Sequence, residues 1–330
     1  MRLSAKVAAA TAAVALLVSA CGYDETPLPE EKKAVAPESK PDCETPDESG
    51  TDPVASYNPG EGVPTGPKLD EIRGRERLIV GVSADTYLMG SENPELGNRI
   101  EGFDIEFAKA IGRAIFGDEF ETGRNLELRV ITAAQRIPLL EEGELDLVIR
   151  NFTINSERWG CIAFSAEYYH ASQKVLVGTS LADGDEENGE YHDPSDLAGL
   201  RVCAPTGSTS LSRIQDLEPD AITEPASNHT GCLVKFQRGE VDAITGDDTV
   251  LAGLAAQDPY AVVPEQQPLS AEPYGIGVNQ NDVDLVRFVN YVLEEMQTGA
   301  WDAAYRRWLQ PLLDPERDDD VEQPTPVYGR

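Results

Sequence analysis

The chain has 330 residues, 40% of them hydrophobic, with 27 Lys and Arg against 59 Asp and Glu, so its formal charge is -32. That length and apolar content suffice for two domains with real cores. The acidity excludes a nucleic-acid-binding surface, which needs clustered Lys and Arg to displace phosphate counterions, and an anionic membrane surface would repel it.

Residues 1–21 pair Arg2 and Lys6 with an apolar stretch over 7–17 and close on Val18-Ser19-Ala20-Cys21. This is the pattern of an export signal, whose apolar core is shorter than the roughly 20 residues that span a bilayer. Its end resembles the lipobox of bacterial lipoproteins. That resemblance implies lipidation at Cys21 and a chain anchored to the extracellular face of the cell membrane; cleavage to a free secreted protein is the alternative. Residues 22–67 are rich in Pro, Glu, Asp, Ser and Gly and predict a disordered tether. The remaining cysteines, Cys43, Cys161, Cys203 and Cys232, are an even number in an exported chain, which predicts two disulfides. Four cysteines allow three connectivities; sequence order favours Cys203–Cys232, leaving Cys43–Cys161. With no C-x-x-C pair and no histidine at ligand spacing, neither a metal nor a cofactor is expected.

Strands and helices then alternate. A buried strand at 78–82 (LIVGV) precedes a helix over 103–116, with Phe107, Ile111 and Ile115 at helical spacing. A strand at 126–131, a short helix at 137–142 and a strand at 145–149 follow. The pattern restarts with strands at 174–177 and 200–204, helices at 210–215 and 233–238, and a strand at 241–245. A polar surface insertion is expected at 182–194, a last amphipathic helix at 283–297, and a flexible acidic tail at 311–330. The doubled βα alternation predicts an α/β chain of two lobes.

Several segments, in order, resemble the extracellular solute-binding proteins of polar amino-acid uptake systems (family 3). They are "GFDIEFAKAIG" (102–112), "GELDLVIRNFTINSERWGCIAFSAEYY" (143–169), "GLRVCAPTGSTS" (199–210), "GEVDAITGDDTVLAG" (239–253), "PYGIGV" (273–278) and "TGAWDAAYRRWL" (298–309). With the lipoprotein signal, the combination is most similar to actinobacterial glutamine/glutamate-binding lipoproteins. The resemblance implies a type II periplasmic-binding fold. Lobe 1 would comprise 68–170 and 277–310 and lobe 2 would comprise 171–276, joined by two crossovers and closing as a hinge on one small ligand.

An α-amino acid presents a carboxylate and an ammonium, so its receptor needs a cation with amide donors for one and carboxylate or hydroxyl acceptors for the other. The resemblance places Arg158 on the α-carboxylate, which suits a planar guanidinium fork. The turn Thr206-Gly207-Ser208-Thr209-Ser210 ahead of a helix offers free N–H groups as an anion site, with plain helix capping as the alternative. Asp247 and the Thr153 hydroxyl are expected on the ammonium, Asp248 being the competing assignment, and Asn151 is counted with the site. Asp85 is either ligand-facing or a turn residue, and Tyr87 either covers the ligand or packs.

Arg150 and Arg136 depart from the family pattern by adding cations beside the pocket. Since Arg158 already serves the α-carboxylate, a further arginine gains most from a second carboxylate, that of L-glutamate or L-aspartate. The alternative is that Arg136 or Arg150 pairs with Glu141 or Glu157 and the ligand is glutamine or asparagine. No nucleophile elbow or metal set accompanies these residues, and His170, His192 and His229 read as ordinary surface histidines, so a dehydratase-type enzyme is the weaker class. The chain is expected to act as a monomer. Its partner is expected to be the permease of an amino-acid ABC importer, or else a membrane sensor feeding a protein kinase.

Overall fold

The computed structural model describes residues 43, 51–184, 190–317 and 321–330. The export signal, Cys21 and most of the expected tether lie outside the described residues. None of the described helices is long and apolar enough to cross a membrane.

In chain order the strands of the first lobe are β1 (Leu78–Val82), the small antiparallel trio β2 (Asp85–Thr86), β3 (Gly90–Asn93) and β4 (Arg99–Glu101), then β5 (Leu126–Val130), β6 (Leu147–Val148) and β7 (Ile162–Phe164). The chain crosses on β8 (Tyr169–Gly178) to β9 (Arg201–Cys203), β10 (Ile222–Thr223), β11 (Ala243–Asp247) and β12 (Ala261–Val262). It returns on β13 (Ser270–Tyr274) to β14 (Gly277–Asn279). The first sheet has the order β5-β1-β6-β14-β7 and the second β10-β9-β11-β8-β12, with β13 lying on β8. The fold is therefore a two-lobed α/β architecture with mixed sheets. The crossovers β8 and β13 pair antiparallel, Tyr169 opposite Tyr274, so the hinge is itself a short two-stranded ribbon.

Each lobe has its own core. In lobe 1, helix Phe103–Phe116 buries Phe103, Phe107, Ile111 and Ile115, and helix Val283–Met296 buries Leu285, Phe288, Val289, Leu293 and Met296 against the sheet. This is the expected apolar stripe at a spacing of three and four residues. In lobe 2 the sheet separates one cluster around Leu176, Ile244 and Leu251 from another around Val175, Val202 and Ile214. The parallel strands β1, β5 and β6 in lobe 1, and β9 and β11 in lobe 2, end at the cleft. Loops at the carboxyl ends of parallel strands are where α/β sheets take ligands.

Three expectations are corrected. The tether does not extend to residue 67. Ser56 is fully buried and bridges Tyr328, Asn290 donates to the Ser56 hydroxyl and the Tyr57 carbonyl, and the Trp159 indole donates to the Pro53 carbonyl. The acidic tail is likewise packed where described: Tyr328 donates to Glu294 and the Arg330 guanidinium lies 3.8 Å from the Trp159 ring centroid. Composition misjudged both stretches because a few backbone and aromatic anchors on lobe 1 hold them, without an apolar core of their own. In the polar insertion, Tyr191 is 2% exposed within lobe 2, while 185–189 lie outside the described residues.

Cys43 is joined to Cys161, and Cys203 to Cys232. The second bridge closes a span of 29 residues inside the lobe 2 core. Replacing both Cys203 and Cys232 by Ser is expected to lower unfolding free energy by about 3 kcal/mol in urea titration; an unchanged midpoint would show the bridge to be idle. Removing residues 321–330 is expected to cost about 1–3 kcal/mol, because Tyr328, Arg330 and their backbone pairing are lost together; equal stability would return this segment to the status of a loose tail.

Candidate functional site

The cleft is organised around a loop that follows β6. Asp104, at the start of helix Phe103–Phe116 and 1% exposed, accepts the Asn151 N–H at 2.9 Å and the Tyr168 hydroxyl at 2.7 Å. Burial pushes its carboxyl up to about 6 against those two hydrogen bonds and the Arg150 charge. Gly102 makes this corner possible. Its φ is +142°, and a Cβ there would come within 2.3 Å of the Met89 carbonyl oxygen. Asn151 in turn holds a φ of +35°, which turns the chain so that Arg150 and Thr153 both line the cleft.

Three guanidiniums meet there. Arg158 sits on the short helix Ser156–Trp159, capped by Asn155, and donates to the Thr153 carbonyl at 2.5 Å and across the cleft to the Gly207 carbonyl at 3.4 Å. Arg136 donates to the carbonyls of Ala133, Arg150 and Asn151 and, across the cleft at 3.2 Å, to Gly207. Both lie against the Phe152 ring, at 4.2 Å for Arg136 and 4.8 Å for Arg158. Arg150 donates only its Nε, to the Ile131 carbonyl at 2.9 Å; among the described residues its two terminal nitrogens have no hydrogen-bond partner.

Burial lowers the pKa of all three arginines. Arg158 falls to about 10, still a cation at neutral pH, and Arg136 is lowered further by the charges of Arg158 and Arg150. Among the described residues none of the three lies within 4.0 Å of a carboxylate oxygen, so the expected alternative pairing with Glu141 or Glu157 is not what the described structure contains.

Acceptors stand opposite. Asp247, at the end of β11 and 4% exposed, takes the Tyr274 hydroxyl at 2.7 Å on Oδ2, while its buried Oδ1 has no partner. Burial, then the charge of Glu272, pushes it up to about 8. Asp248 is turned away, accepting the Ser172 hydroxyl at 2.8 Å. Asp85 takes the Ser83 hydroxyl on Oδ1 and leaves a buried Oδ2 without a partner, as Asn151 does its Oδ1. The Asp85 carbonyl also accepts the Thr230 hydroxyl from lobe 2 at 3.0 Å.

Not every expected residue faces the ligand space. The Ser208 hydroxyl is engaged in capping helix Thr209–Leu217, accepting the Leu211 N–H and donating to Pro205, so only its backbone remains for an anion. Tyr87 is 41% exposed at the rim, beside Gly253 of lobe 2. The surface reading of His229 is corrected: its imidazole lies over Gly246 in the cleft, and burial and the Arg150 charge bring it down to about 4, so it is neutral. Glu272, 2% exposed on β13, was missed altogether, although it accepts hydroxyl protons from both Thr153 and Thr209.

A cation set and an acceptor set thus face one another: a gap of about 10 Å³ lies among Arg136, Arg150, Thr153, Thr209, His229 and Asp247, and a larger space of about 220 Å³ opens beside it among Thr153, Arg158, Thr209 and Glu272. Residues 78–311 match the model of the bacterial extracellular solute-binding proteins, family 3. The chain is 33% identical over 245 residues, 73% of its length and 84% of the relative, to the ABC transporter glutamine-binding protein GlnH of Bacillus subtilis. It is 29% identical to the glutamate-binding protein GluB of Corynebacterium efficiens, covering 76% of this chain and 82% of that one. The solved structure of holo ArgBP from T. maritima superposes with a TM-score of 0.61 at 30% identity, covering 72% of this chain and 98% of that one. Matched over most of its length, with two lobes flanking a polar cleft, the chain belongs to the bacterial extracellular solute-binding proteins of family 3.

Proposed function

We propose that this protein is an extracellular amino-acid receptor that closes its two lobes on L-glutamate or L-aspartate and presents it to the permease of an ABC importer. The observation that carries the ligand class is the group of three buried guanidiniums with no carboxylate within 4.0 Å among the described residues. An uncompensated buried charge costs several kcal/mol. A ligand with two carboxylates relieves most of that cost, whereas a neutral amide relieves less.

In this reading Arg158 and the N–H groups of the turn at 206–210 hold the α-carboxylate. Asp247 Oδ1 and the Thr153 hydroxyl take the ammonium, and the free terminal nitrogens of Arg150 take the side-chain carboxylate. Arg136, whose nitrogens already serve four carbonyls, shapes the cleft wall rather than reading the ligand. The anchor would be a lipid on Cys21, which makes lobe 1 the attached lobe.

One observation favours a second reading. The unpartnered Oδ1 of Asn151 and Oδ2 of Asp85 are acceptors near Arg150, and an amide NH2 would satisfy them. Glutamine or asparagine would then be the ligand, in keeping with the similarity to the glutamine-binding protein GlnH of Bacillus subtilis. A sensing partner in place of a permease would use the same closure.

Calorimetric titration with L-glutamate, L-aspartate, L-glutamine and L-asparagine separates the two ligand readings. The acids are expected to bind tighter than the amides, and Arg150→Ala is expected to weaken the acids by tenfold or more while changing the amides little. Preference for the amides, or an unchanged acid affinity in Arg150→Ala, would sink the acidic reading.

The raised pKa of Asp247 sets a pH dependence. Glu272 and Asp248 push the pKa up, the Tyr274 hydroxyl and Arg136 pull it down, and burial dominates. Below about 8 the free carboxyl is mostly protonated, whereas an ammonium requires it ionised, so binding must release a proton. Affinity is expected to rise about tenfold per unit between pH 6 and pH 8, with close to one proton released at pH 6.5 in buffers of differing ionisation enthalpy. A flat profile with no proton release would remove Asp247 from the ammonium site.

A further inference from the structure

Glu272 lies outside both ligand sets, yet it touches both lobes. It sits on β13, the returning crossover, where it belongs to neither sheet's core and is 2% exposed. Its Oε1 accepts the Ser270 hydroxyl at 2.6 Å. Its Oε2 accepts the Thr153 hydroxyl of lobe 1 at 2.7 Å and the Thr209 hydroxyl of lobe 2 at 2.8 Å. The two threonine oxygens are 3.4 Å apart and both line the cleft.

We propose that Glu272 is an interlobe latch and positioning residue: from the hinge it holds Thr153 and Thr209 together, closing the cleft and fixing both hydroxyls as acceptors toward the ligand. The polarity follows from proton counting. A carboxylate oxygen only accepts. Each threonine has one hydroxyl proton, so both protons point at Oε2 and neither hydroxyl can donate to its neighbour. The lone pairs left over face the cleft, where they favour an ammonium and disfavour an anion. Glu272 thereby sets the polarity of both threonine hydroxyls beside the guanidinium of Arg158. It also gives the closed form charge-assisted hydrogen bonds that an open form, with Thr153 and Thr209 drawn apart, cannot make simultaneously.

The polarity part of this inference rests on the amino-acid reading; the latch part does not. A donor–acceptor dye pair, attached by non-cysteine chemistry at exposed Val130 of lobe 1 and Tyr260 of lobe 2, reads the lobe distance in the full chain. Glu272→Leu keeps a side chain of similar size but removes both acceptor oxygens, so Thr153 and Thr209 lose their shared partner. It is expected to move the ligand-free population toward longer distances and to weaken L-glutamate and L-glutamine alike by about tenfold. Thr209→Val, which opens the same latch from lobe 2, is expected to lengthen the ligand-free distance in the same way.

If both variants keep the parental distance distribution without ligand, the latch is overturned. If affinity falls while the ligand-free distances stay put, Glu272 acts on the ligand itself, which also overturns it. Should the parental protein bind none of the four amino acids while the variants still open, the amino-acid reading fails and the latch stands.

Discussion

The carboxylate of Asp104 holds the site to the fold. Buried at the start of a helix, it ties the Asn151 amide, which begins the cleft loop, to the Tyr168 hydroxyl, which begins the crossover. The cleft loop carries Arg150, Thr153 and, one short helix on, Arg158; the crossover carries the chain to lobe 2. One side chain therefore sets the register between the ligand-reading loop and the hinge. Without it a buried hydroxyl and a buried amide would be left without partners, each costing about 1–3 kcal/mol. The glycine at 102 is part of the same device, since only a residue without a Cβ clears the Met89 carbonyl while turning the carboxylate inward.

The charge of the protein is distributed against its average. A chain of net charge -32 keeps three arginines together in its cleft, where burial and mutual repulsion oppose them. The backbone absorbs part of the cost. The carbonyls of Ala133, Arg150, Asn151, Thr153 and Gly207 accept from Arg136 and Arg158, and the Phe152 face lies against both. Among the described residues, one guanidinium end on one side and Asp247 Oδ1, Asp85 Oδ2 and Asn151 Oδ1 on the other are left without hydrogen-bond partners. The unsatisfied groups of a binding site describe its ligand in negative, and these describe a small zwitterion.

The sequence displayed most of the architecture because apolar periodicity marks elements with one buried face. The strand at Leu78–Val82 and the helices at Phe103–Phe116 and Val283–Met296 could be read this way to within a residue. Arg158 and Asp247 could be placed at the cleft by the family-like segments that carry them. Glu272 and His229 could not. A carboxylate on a crossover strand looks like a solvated edge residue until the two lobes are placed on either side of it. A histidine at a helix start looks exposed until Gly246 is seen to leave room for its ring. The terminal segments were misjudged for a related reason: composition measures what a segment can bury by itself, whereas Ser56 and Tyr328 are ordered by each other and by Asn290 and Glu294 of helix Val283–Met296.

That pinning has a mechanical consequence. Both ends of the described chain run along lobe 1, fixed there by the Cys43–Cys161 bridge, the Ser56–Tyr328 pairing and the Arg330 stack on Trp159. Lobe 2 is connected to the rest by two adjacent strands of one ribbon. Whatever the termini are fastened to, lobe 1 is the stator and lobe 2 the arm. In the proposed closure the displacement would therefore appear almost wholly at the outer face of lobe 2, and a partner that distinguishes loaded from empty protein would have to rest one foot on each.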